Sequence, residues 1–415
     1  MKPSDPPPLA GAWSVVALLW FAACFNYLAR IMVTTMHSSI LESFPITEAQ
    51  FGLLTSVFLW VYGSFGPFSG FLADRFRRSR VIVLSLFAWS LVTWLTGFAK
   101  TFHEFLAMRA LMGISEASYI PAAQALISDY HRGRTRALAV GLHMTGVFTG
   151  AALGGLGGWL ADLVSWHFAF QLVGAGGAAY SLALLFTLRD APREVGPEGP
   201  ETEAAPKAHF GQALASLFGR GSFVLLFVFV AGMGAVAWTV LGWAPTYLKE
   251  HFHIGQGEAG FSATSYLNIA GVLGLLVSGA WAGRWSRRNI RASIYVVAIG
   301  LCIAAPGVLL SARASLLALS VFGLTLYGFG VEFSDSNVTP IICQVVDPRY
   351  RATALGVLNL SVAVVGGLAI YATGVLRDKR LDTGMILTVA AGAQLLCIVP
   401  LLLVNMRPPV ISKQS

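Results

Sequence analysis

The segment Gly70-Phe-Leu-Ala-Asp-Arg-Phe-Arg-Arg78 recurs in altered form as Gly279-Ala-Trp-Ala-Gly-Arg-Trp-Ser-Arg287. One glycine and two arginines keep their places at a constant offset of 209 residues. Each copy follows the second long apolar run of its half of the chain. A short motif that returns at the same place in both halves indicates a duplicated unit. The sequence therefore predicts two similar halves.

The apolar runs around these motifs predict an integral membrane protein. Of 415 residues, 56% are hydrophobic and only 12% are charged, against a charged share of about 25% in soluble domains. A bilayer is crossed by about 20 apolar residues in a helix. Twelve runs meet this length: 12–38, 50–73, 79–99, 103–128, 135–161, 167–187, 222–248, 260–283, 290–311, 315–343, 351–376 and 383–405. We expect an all-α fold of twelve transmembrane helices in two pseudo-symmetric six-helix bundles.

One polar stretch, 189–220, separates the sixth run from the seventh. Its prolines and glutamates are typical of a flexible linker and cannot form a packed core. The sequence thus divides into an N-terminal bundle at 1–188, a cytoplasmic linker at 189–220 and a C-terminal bundle at 221–415. The first apolar run is too long for a cleaved signal peptide, so we expect it to remain as a helix.

The distribution of positive charge predicts the orientation. Twenty lysines and arginines fall on the side of the membrane that holds both termini and the linker, and six fall on the other side. Lysine and arginine favour the cytoplasmic side. We therefore expect both termini in the cytoplasm, in a multi-pass protein of a cell membrane such as a bacterial inner membrane. The net charge of +8 then requires no nucleic-acid partner, and we expect a monomer surrounded by lipid.

Neither a metal site nor an enzyme motif is indicated. The four cysteines lie in apolar runs without paired spacing, so we expect no disulfide, no metal and no cofactor. The glycines at 154–158 lie within a predicted span and lack the strand and lysine of a nucleotide-binding loop. They favour close helix packing instead. We expect a protein that is not an enzyme.

Across nearly its whole length the chain resembles the major facilitator superfamily, whose best-known motif is matched by Gly70 to Arg78. The resemblance implies two bundles around a central cavity that opens alternately to either side of the membrane. It also implies a gating role for Asp74, Arg75 and Arg78, with Asp74 facing the positive end of a helix in the other bundle. Gly283 replaces the acid in the second copy, so such a latch is one-sided. A plain positive-inside turn is the alternative.

Four shorter segments resemble the anion:cation symporter branch of that superfamily and its spinster-like relatives. They are Asn26–Arg30, Arg109–Ala117, Arg134–Ala137 and Trp243–Leu248. In the first of them Ala29 stands where the branch usually has an aspartate. A carboxylate that could balance an arginine or carry a proton is therefore missing from the first helix.

Arg30 is the clearest candidate for substrate binding. A charge within an apolar span costs about 2.5–3.5 kcal/mol on insertion scales, and a guanidinium binds a carboxylate with two parallel hydrogen bonds. Asn26 lies one helical turn before Arg30, and Tyr27 flanks the same face. The sequence predicts that this face meets an anionic substrate. A structural ion pair with another helix is the alternative.

Glu116 is the predicted proton carrier. It lies seven residues after Arg109 in the fourth span, two turns along the same face and about 10 Å in rise. Burial and a nearby arginine act in opposite directions on a carboxylate's affinity for protons, and alternating access changes both. A permanent pair between Arg109 and Glu116 is the alternative.

Glu332 and Asp335 form a second acidic pair, one turn apart in the tenth span. Three roles remain open for them: a titrating pair that shares a proton, a sodium site together with Asn337 and backbone oxygens, or a counter-charge to Arg30. The first and third carry more weight. His143 of the fifth span is a further proton-coupling candidate, with a satisfied core histidine as the alternative.

Aromatic and amide side chains supply the other candidates for lining the substrate cavity. They are Tyr119, Trp238, Tyr266, Asn268 and Asn359. A single aromatic in a span more often packs against neighbours than contacts a ligand. These residues therefore form only a provisional set.

The sequence predicts a secondary active transporter that moves a small organic anion, such as a sugar acid, together with protons. A spinster-like carrier of lysolipid or another amphiphile is the alternative. In that case Arg30 meets a phosphate or zwitterionic head group. A receptor of this fold without transport is a third, weaker hypothesis.

Overall fold

The computed structural model describes residues 9–131, 134–192 and 210–406, which form helices and no strands within those ranges. The N-terminal half contains nine helices: α1 (Ala12–Thr35), α2 (His37–Ser43), α3 (Glu48–Arg75), α4 (Arg78–Thr96), α5 (Phe102–Glu116), α6 (Tyr119–Tyr130), α7 (Arg134–Leu153), α8 (Leu156–Leu163) and α9 (Trp166–Thr187). The C-terminal half contains eight: α10 (Phe210–Phe218), α11 (Gly221–Phe252), α12 (Gln256–Trp285), α13 (Ala292–Arg313), α14 (Leu317–Val345), α15 (Arg351–Asp378), α16 (Thr383–Leu396) and α17 (Ile398–Leu403). The predicted all-α class is confirmed.

Ten helical segments of the described chain are long and apolar enough to cross a membrane. An eleventh is added if α2 and the first part of α3, which are bent by 114°, count as one span. The predicted span at 103–128 corresponds to α5 and α6, interrupted between Glu116 and Tyr119. Its two buried charges, Arg109 and Glu116, lower its hydropathy. A total of twelve spans stays a prediction.

The end of the predicted linker is helical. The amphipathic helix α10 begins at Phe210, inside the stretch predicted to be flexible. Ala213 and Leu217, one turn apart, are buried, and Leu217 joins the core of the C-terminal half. Burial of these two side chains stabilises a turn that the polar composition of the preceding residues does not predict. Residues 193–209 lie outside the described part of the chain.

The two halves are in close contact at one end and along the adjoining part of the helices that they share. α3 packs on α15, and α7 with α8 packs on α12. A Cβ atom added to Gly374 would lie 2.4 Å from the Glu48 carbonyl oxygen, and one added to Gly155 would lie 2.5 Å from Phe261 Cα. We call this the closed end. It comprises α2 and the adjoining ends of α3, α11, α12 and α15.

The opposite end is open along the same helices. In the described part of the chain, a Cβ added at any of four glycines there would meet no atom within 4 Å: Gly66, Gly141, Gly283 and Gly356. We call this the basic end, because the arginine-rich loops lie there. Two of its arginines bind within their own half: Arg136 donates to the Ser128 carbonyl oxygen at 3.1 Å, and Arg291 donates to the Leu402 carbonyl oxygen. The space between the halves therefore opens toward the basic end.

Candidate functional site

An ion pair between Arg30 and Glu116 lies at the centre of the N-terminal half. Arg30 Nη2 lies 2.7 Å from Glu116 Oε2, and Arg30 Nε donates to the same oxygen at 3.3 Å. Arg30 is 4% exposed and Glu116 1%. The counter-charge of Arg30 is thus a carboxylate at the end of α5.

Three aromatic rings surround the Arg30 guanidinium. Its central carbon lies 4.4 Å from the ring centre of Tyr27, 4.6 Å from that of Tyr62 and 4.9 Å from that of Phe58. Cation–π attraction strengthens when water is excluded. Tyr27 was predicted from its position beside Arg30. Phe58 and Tyr62 were missed, because they are ordinary aromatics in the uncharged middle of α3.

Arg109 supports this pair without contacting Glu116 directly. Its Nε donates to the Leu54 carbonyl oxygen at 3.2 Å, and its Nη1 to Met112 Sδ at 3.1 Å. Its guanidinium lies 4.8 Å from the Phe58 ring centre, so one ring contacts both arginines. The guanidinium acts on Glu116 through space, as expected from the seven-residue spacing.

Several polar atoms beside the pair are buried without a hydrogen-bond partner among the described residues. They are Glu116 Oε1, Arg109 Nη2 and both amide atoms of Asn26. Asn26 lies beside Glu116 and is 1% exposed, but its amide lacks hydrogen-bond geometry. Buried polar atoms are rarely left unpaired. Their concentration at one place makes this the candidate substrate site.

Tyr119 and His143 lie apart from that site, in the core of the N-terminal half. The Tyr119 hydroxyl donates to the Leu19 carbonyl oxygen at 2.7 Å and lies 3.1 Å from His143 Nε2. Both residues are fully buried. The alternative given for His143, a core histidine, describes its surroundings, although its Nδ1 has no hydrogen-bond partner in the described chain.

The candidates in the C-terminal half are in different environments. Trp238 packs against the hydrophobic cluster that contains Ala29 and Phe58. The Asn268 amide donates to the Thr264 carbonyl oxygen at 2.8 Å. Tyr266 is 49% exposed, and Asn359 is also exposed. Only Trp238 of this set contacts the surroundings of Arg30.

The acidic pair of α14 does not neutralise Arg30, whose carboxylate partner is Glu116. Asp335 is exposed yet acts through space on Tyr27 of α1. It therefore faces the space between the halves. The Asn337 amide donates to the Phe333 carbonyl oxygen at 3.0 Å.

The predicted gating residues lie at the basic end. Arg78 pairs with Asp129 and donates to the Ala125 carbonyl oxygen at 3.2 Å, both on α6 of its own half. Arg75 lies at the end of α3 and is exposed. The side chain of Asp74 lies outside the described part. In this conformation the contacts of Arg78 stay within the N-terminal half.

A polar cluster at the closed end joins the two halves instead. Arg377 of α15 binds Glu48 of α3 at 3.1 Å and Glu250 of α11 at 2.7 Å. The Asp378 carboxylate accepts from the backbone N–H groups of Glu48 at 2.8 Å and Ala49 at 3.1 Å. We call Glu48, Glu250, Arg377 and Asp378 the closed-end latch. Sequence reasoning missed it, because charges at span ends resemble ordinary topological signals.

Further hydrogen bonds tie α12 to the N-terminal half beside the latch. Asp162 accepts from the Gly257 N–H at 2.8 Å, and Gln256 donates to Ser39 Oγ at 2.9 Å. Deeper along the interface, Ser265 Oγ donates to the Ala152 carbonyl oxygen at 2.9 Å. Closure of this end therefore rests on polar contacts and on the glycine packing described above.

A sequence profile of the Major Facilitator Superfamily matches residues 19–370. The chain belongs to this superfamily. Among curated members, it is 27% identical over 388 residues to protein spinster homolog 1 of Xenopus tropicalis, covering 88% of this chain and 73% of that protein. It is 28% identical over 283 residues to the D-galactonate transporter of Escherichia coli, covering 64% and 65%. It is therefore a transporter-family protein and not an enzyme.

Solved structures of superfamily members share the fold. A bacterial homolog of the human lysosomal transporter Spinster, in an inward-facing and unoccupied conformation, superimposes with a TM-score of 0.74 at 23% identity, covering 96% of both chains. The nucleoside transporter NupG also gives a TM-score of 0.74, at 15% identity, covering 94% of this chain and 99% of its own. At these identities the likeness establishes the major facilitator fold alone.

Proposed function

We propose that this protein is a secondary active transporter that moves a small organic anion, such as a sugar acid, in symport with protons. The observation that carries the proposal is the 2.7 Å pair between Arg30 and Glu116, both buried beside unpartnered polar atoms. At such a site, protonation of the carboxylate frees the arginine to bind an anion. Binding of the proton and binding of the anion are therefore linked.

The coupling follows from charge balance. While Glu116 is ionised, it occupies the Arg30 guanidinium. A proton on Glu116 removes that counter-charge and leaves the guanidinium free to bind a substrate carboxylate through two hydrogen bonds. Counted over Arg30, Glu116 and the anion, two states differ in charge from the resting ion pair: proton without anion, and anion without proton. Because a buried unpaired charge is strongly unfavourable, proton and anion bind together, and this linkage acts equally in both directions.

Alternating access is supported by the difference between the two ends. The closed-end latch and the tight glycine packing hold one end together, while the halves separate at the basic end. With the positive-inside orientation, the site opens to the cytoplasm in this conformation. We place the protein in a cell membrane, such as a bacterial inner membrane, as a monomer with both termini in the cytoplasm.

The similarity to the D-galactonate transporter supports a sugar acid as substrate. The second candidate stays the spinster-like carrier of an amphiphile that the sequence resemblance implies, and the similarity to the Xenopus tropicalis spinster homolog extends over 88% of this chain. The three rings around Arg30 are compatible with either. Saturable uptake of a hydrophilic sugar acid would favour the first candidate.

Uptake into proteoliposomes tests the proposal, with D-galactonate and a panel of sugar acids as probes. We expect an inward proton gradient to drive uptake of the accepted acid. In Glu116→Gln the amide cannot ionise, so uptake should become insensitive to the gradient, while exchange of internal for external anion persists. Binding of the anion should tighten by about tenfold, because it becomes the only counter-charge of Arg30.

A control variant and a contradicting outcome complete this test. Glu42→Gln alters an exposed carboxylate of α2 and should transport like the unaltered protein. Uptake that is indifferent to the proton gradient in the unaltered protein, and intact in Arg30→Ala, would contradict both the coupling and the site.

A further inference from the structure

The Glu48 carboxylate has a basic partner in each half of the protein. Its Oε2 atom lies 2.7 Å from Nε2 of His37, which belongs to α2 of the same half. Its Oε1 atom lies 3.1 Å from Nη2 of Arg377, which belongs to α15 of the opposite half. The two basic groups share one negative charge. The charge on His37 therefore affects the contact that Arg377 makes between the halves.

The indole ring of Trp243 lies beside the same two basic groups. Its ring centre is 5.9 Å from that of His37 and 5.0 Å from the central guanidinium carbon of Arg377. The Phe51 ring of α3 packs on His37, with 4.6 Å between the ring centres. His37 is 6% exposed and Trp243 is fully buried. A charge on His37 is therefore little screened by water and salt.

A second cation of the C-terminal half adjoins α2. Lys249 of α11 donates to Ser38 Oγ, and it lines one cleft together with His37 and Gln256. A positive charge on His37 would thus arise close to two cations of the opposite half, Arg377 and Lys249. Like charges repel, so this charge would push the two halves apart.

The carboxylates of the closed end decide how far that charge is balanced. Glu48 contacts His37 directly, and its side chain is 20% exposed, which gives protons access to the pair from water. Three other carboxylates there accept hydrogen bonds from partners of their own: Asp162, Glu250 and Asp378. A charged His37 would therefore be balanced by Glu48, the carboxylate that also holds Arg377.

We propose that His37 is a pH-sensitive switch that opens the closed end in acid. Neutral His37 donates its Nε2–H to Glu48 and leaves the negative charge to Arg377, so the halves stay joined. A proton added at Nδ1 makes the Nε2–H bond charge-assisted, and such bonds are about twice as strong as neutral ones. The charged ring then holds Glu48 within the N-terminal half. Because histidine changes charge near neutral pH, the switch operates in the physiological range.

This inference deepens the proposed function and rests on it for the direction of transport. In the proposed orientation the closed end faces the outside of the cell. An acidic exterior would then open the protein toward the compartment that supplies both the proton and the anion. Glu116 would carry the proton, and His37 would make the outer end respond to the same gradient.

Spin labels at Lys100 and Glu258, one in each half at the closed end, test the switch by electron resonance. The labelled protein is measured in lipid nanodiscs without any organic anion, between about pH 8 and pH 5, where histidine changes its charge. We expect the short distance to dominate at the alkaline limit. At the acidic limit the ratio of long to short distances should rise by about fivefold or more, because a charge-assisted bond competes with Arg377 for Glu48.

Variants locate the response. His37→Gln keeps a donor for Glu48 but takes up no proton, so the short distance should persist at every pH. His37→Arg is charged at every pH, so the long distance should be populated even at the alkaline limit. His103→Gln alters an exposed histidine of α5 at the same end and should respond like the unaltered protein. Glu116→Gln should also respond, because the switch does not involve the central ion pair.

The outcomes separate this inference from the proposed function. A pH response that survives in His37→Gln would overturn the switch, and so would a shift toward shorter distances in acid. A response that is lost in Glu116→Gln would belong to the central site and would overturn it as well. Uptake that is indifferent to the proton gradient would contradict the proposed coupling, whereas the label distances are measured without transport. The short distance in His37→Gln at the alkaline limit verifies that this variant folds.

Discussion

Replacing Arg30 by alanine is expected to reduce anion uptake by about a hundredfold or more and to destabilise the protein. The substitution removes the guanidinium that would hold the substrate carboxylate, and loss of one partner of a buried charged hydrogen bond costs about 2–5 kcal/mol. It also leaves Glu116, which is 1% exposed, as a buried carboxylate whose ion-pair partner is gone. Uptake into proteoliposomes and thermal unfolding measure the two effects separately.

A second substitution separates binding from stability. In Arg30→Ala combined with Glu116→Gln, no buried carboxylate is left without its ion-pair partner, so part of the lost stability should return. Uptake should not return, because the anion still has no guanidinium. Arg30→Lys keeps the charge but loses the fork that matches a carboxylate, and we expect intermediate affinity. Restored uptake in the double variant would show that Arg30 has a structural role only.

Much of the central site was predictable, because a charge in an apolar run is conspicuous. Arg30, Arg109 and Glu116 stand out in the sequence for this reason, and the structure brings them together. The counter-charge of Arg30 was not predictable, since the sequence left the substrate, Glu116 and the α14 acids open. Only the three-dimensional structure decides between them, since it places the Arg30 guanidinium of α1 2.7 Å from the Glu116 carboxylate of α5.

The site residues that the sequence did not reveal were missed for a common reason. Phe58 and Tyr62 are ordinary aromatics in an apolar helix, and their role beside Arg30 comes from the geometry of α3. Glu48 and Arg377 lie at span ends, where single charges are expected in any membrane protein. Their contact joins positions 329 residues apart, and no local pattern encodes it. The sequence predicts the gate at the basic end, where the described ion pair of Arg78 with Asp129 lies within the N-terminal half.

The structure shows the surroundings of Ala29, which stands where the symporter branch usually has an aspartate. Ala29 is 1% exposed and packs in one cluster with Phe58, Met112 and Ile370. A methyl group at this position places no second carboxylate beside Arg30, so Glu116 has no competitor on α1. The sequence prediction that the lost acid strengthens the role of Glu116 is consistent with this packing and stays a prediction until Glu116→Gln is measured.

Replacing Arg377 by alanine is expected to shift the protein away from the conformation that is closed at the latch. Arg377 links α3 to α15 through Glu48 and stacks over the Trp243 ring at 5.0 Å. Charged hydrogen bonds contribute about 1.5–3 kcal/mol each, and a change of 1.4 kcal/mol alters a population ratio about tenfold. We therefore expect the ratio of closed to open molecules to fall by about tenfold or more.

Distances between spin labels at Lys100 and Glu258, one in each half at the closed end, measure this shift by electron resonance. In the unaltered protein we expect one short population, and in Arg377→Ala a second, longer one. Asp378→Asn should act in the same direction, because the Asp378 carboxylate accepts hydrogen bonds from the first backbone N–H groups of α3 in the opposite half. Arg313→Ala serves as the control, since Arg313 donates to Thr388 within the C-terminal half.

A comparison of Glu250→Gln with Glu48→Gln tests whether the latch joins the two halves. Glu250 contacts Arg377 from α11 of the same half, whereas Glu48 contacts it from the opposite half. If the latch works by joining the halves, Glu48→Gln should lengthen the label distance far more than Glu250→Gln. Equal effects would mean that Arg377 only stiffens the C-terminal half. The other closed-end contacts, such as that of Asp162 with Gly257, would then hold the two halves together.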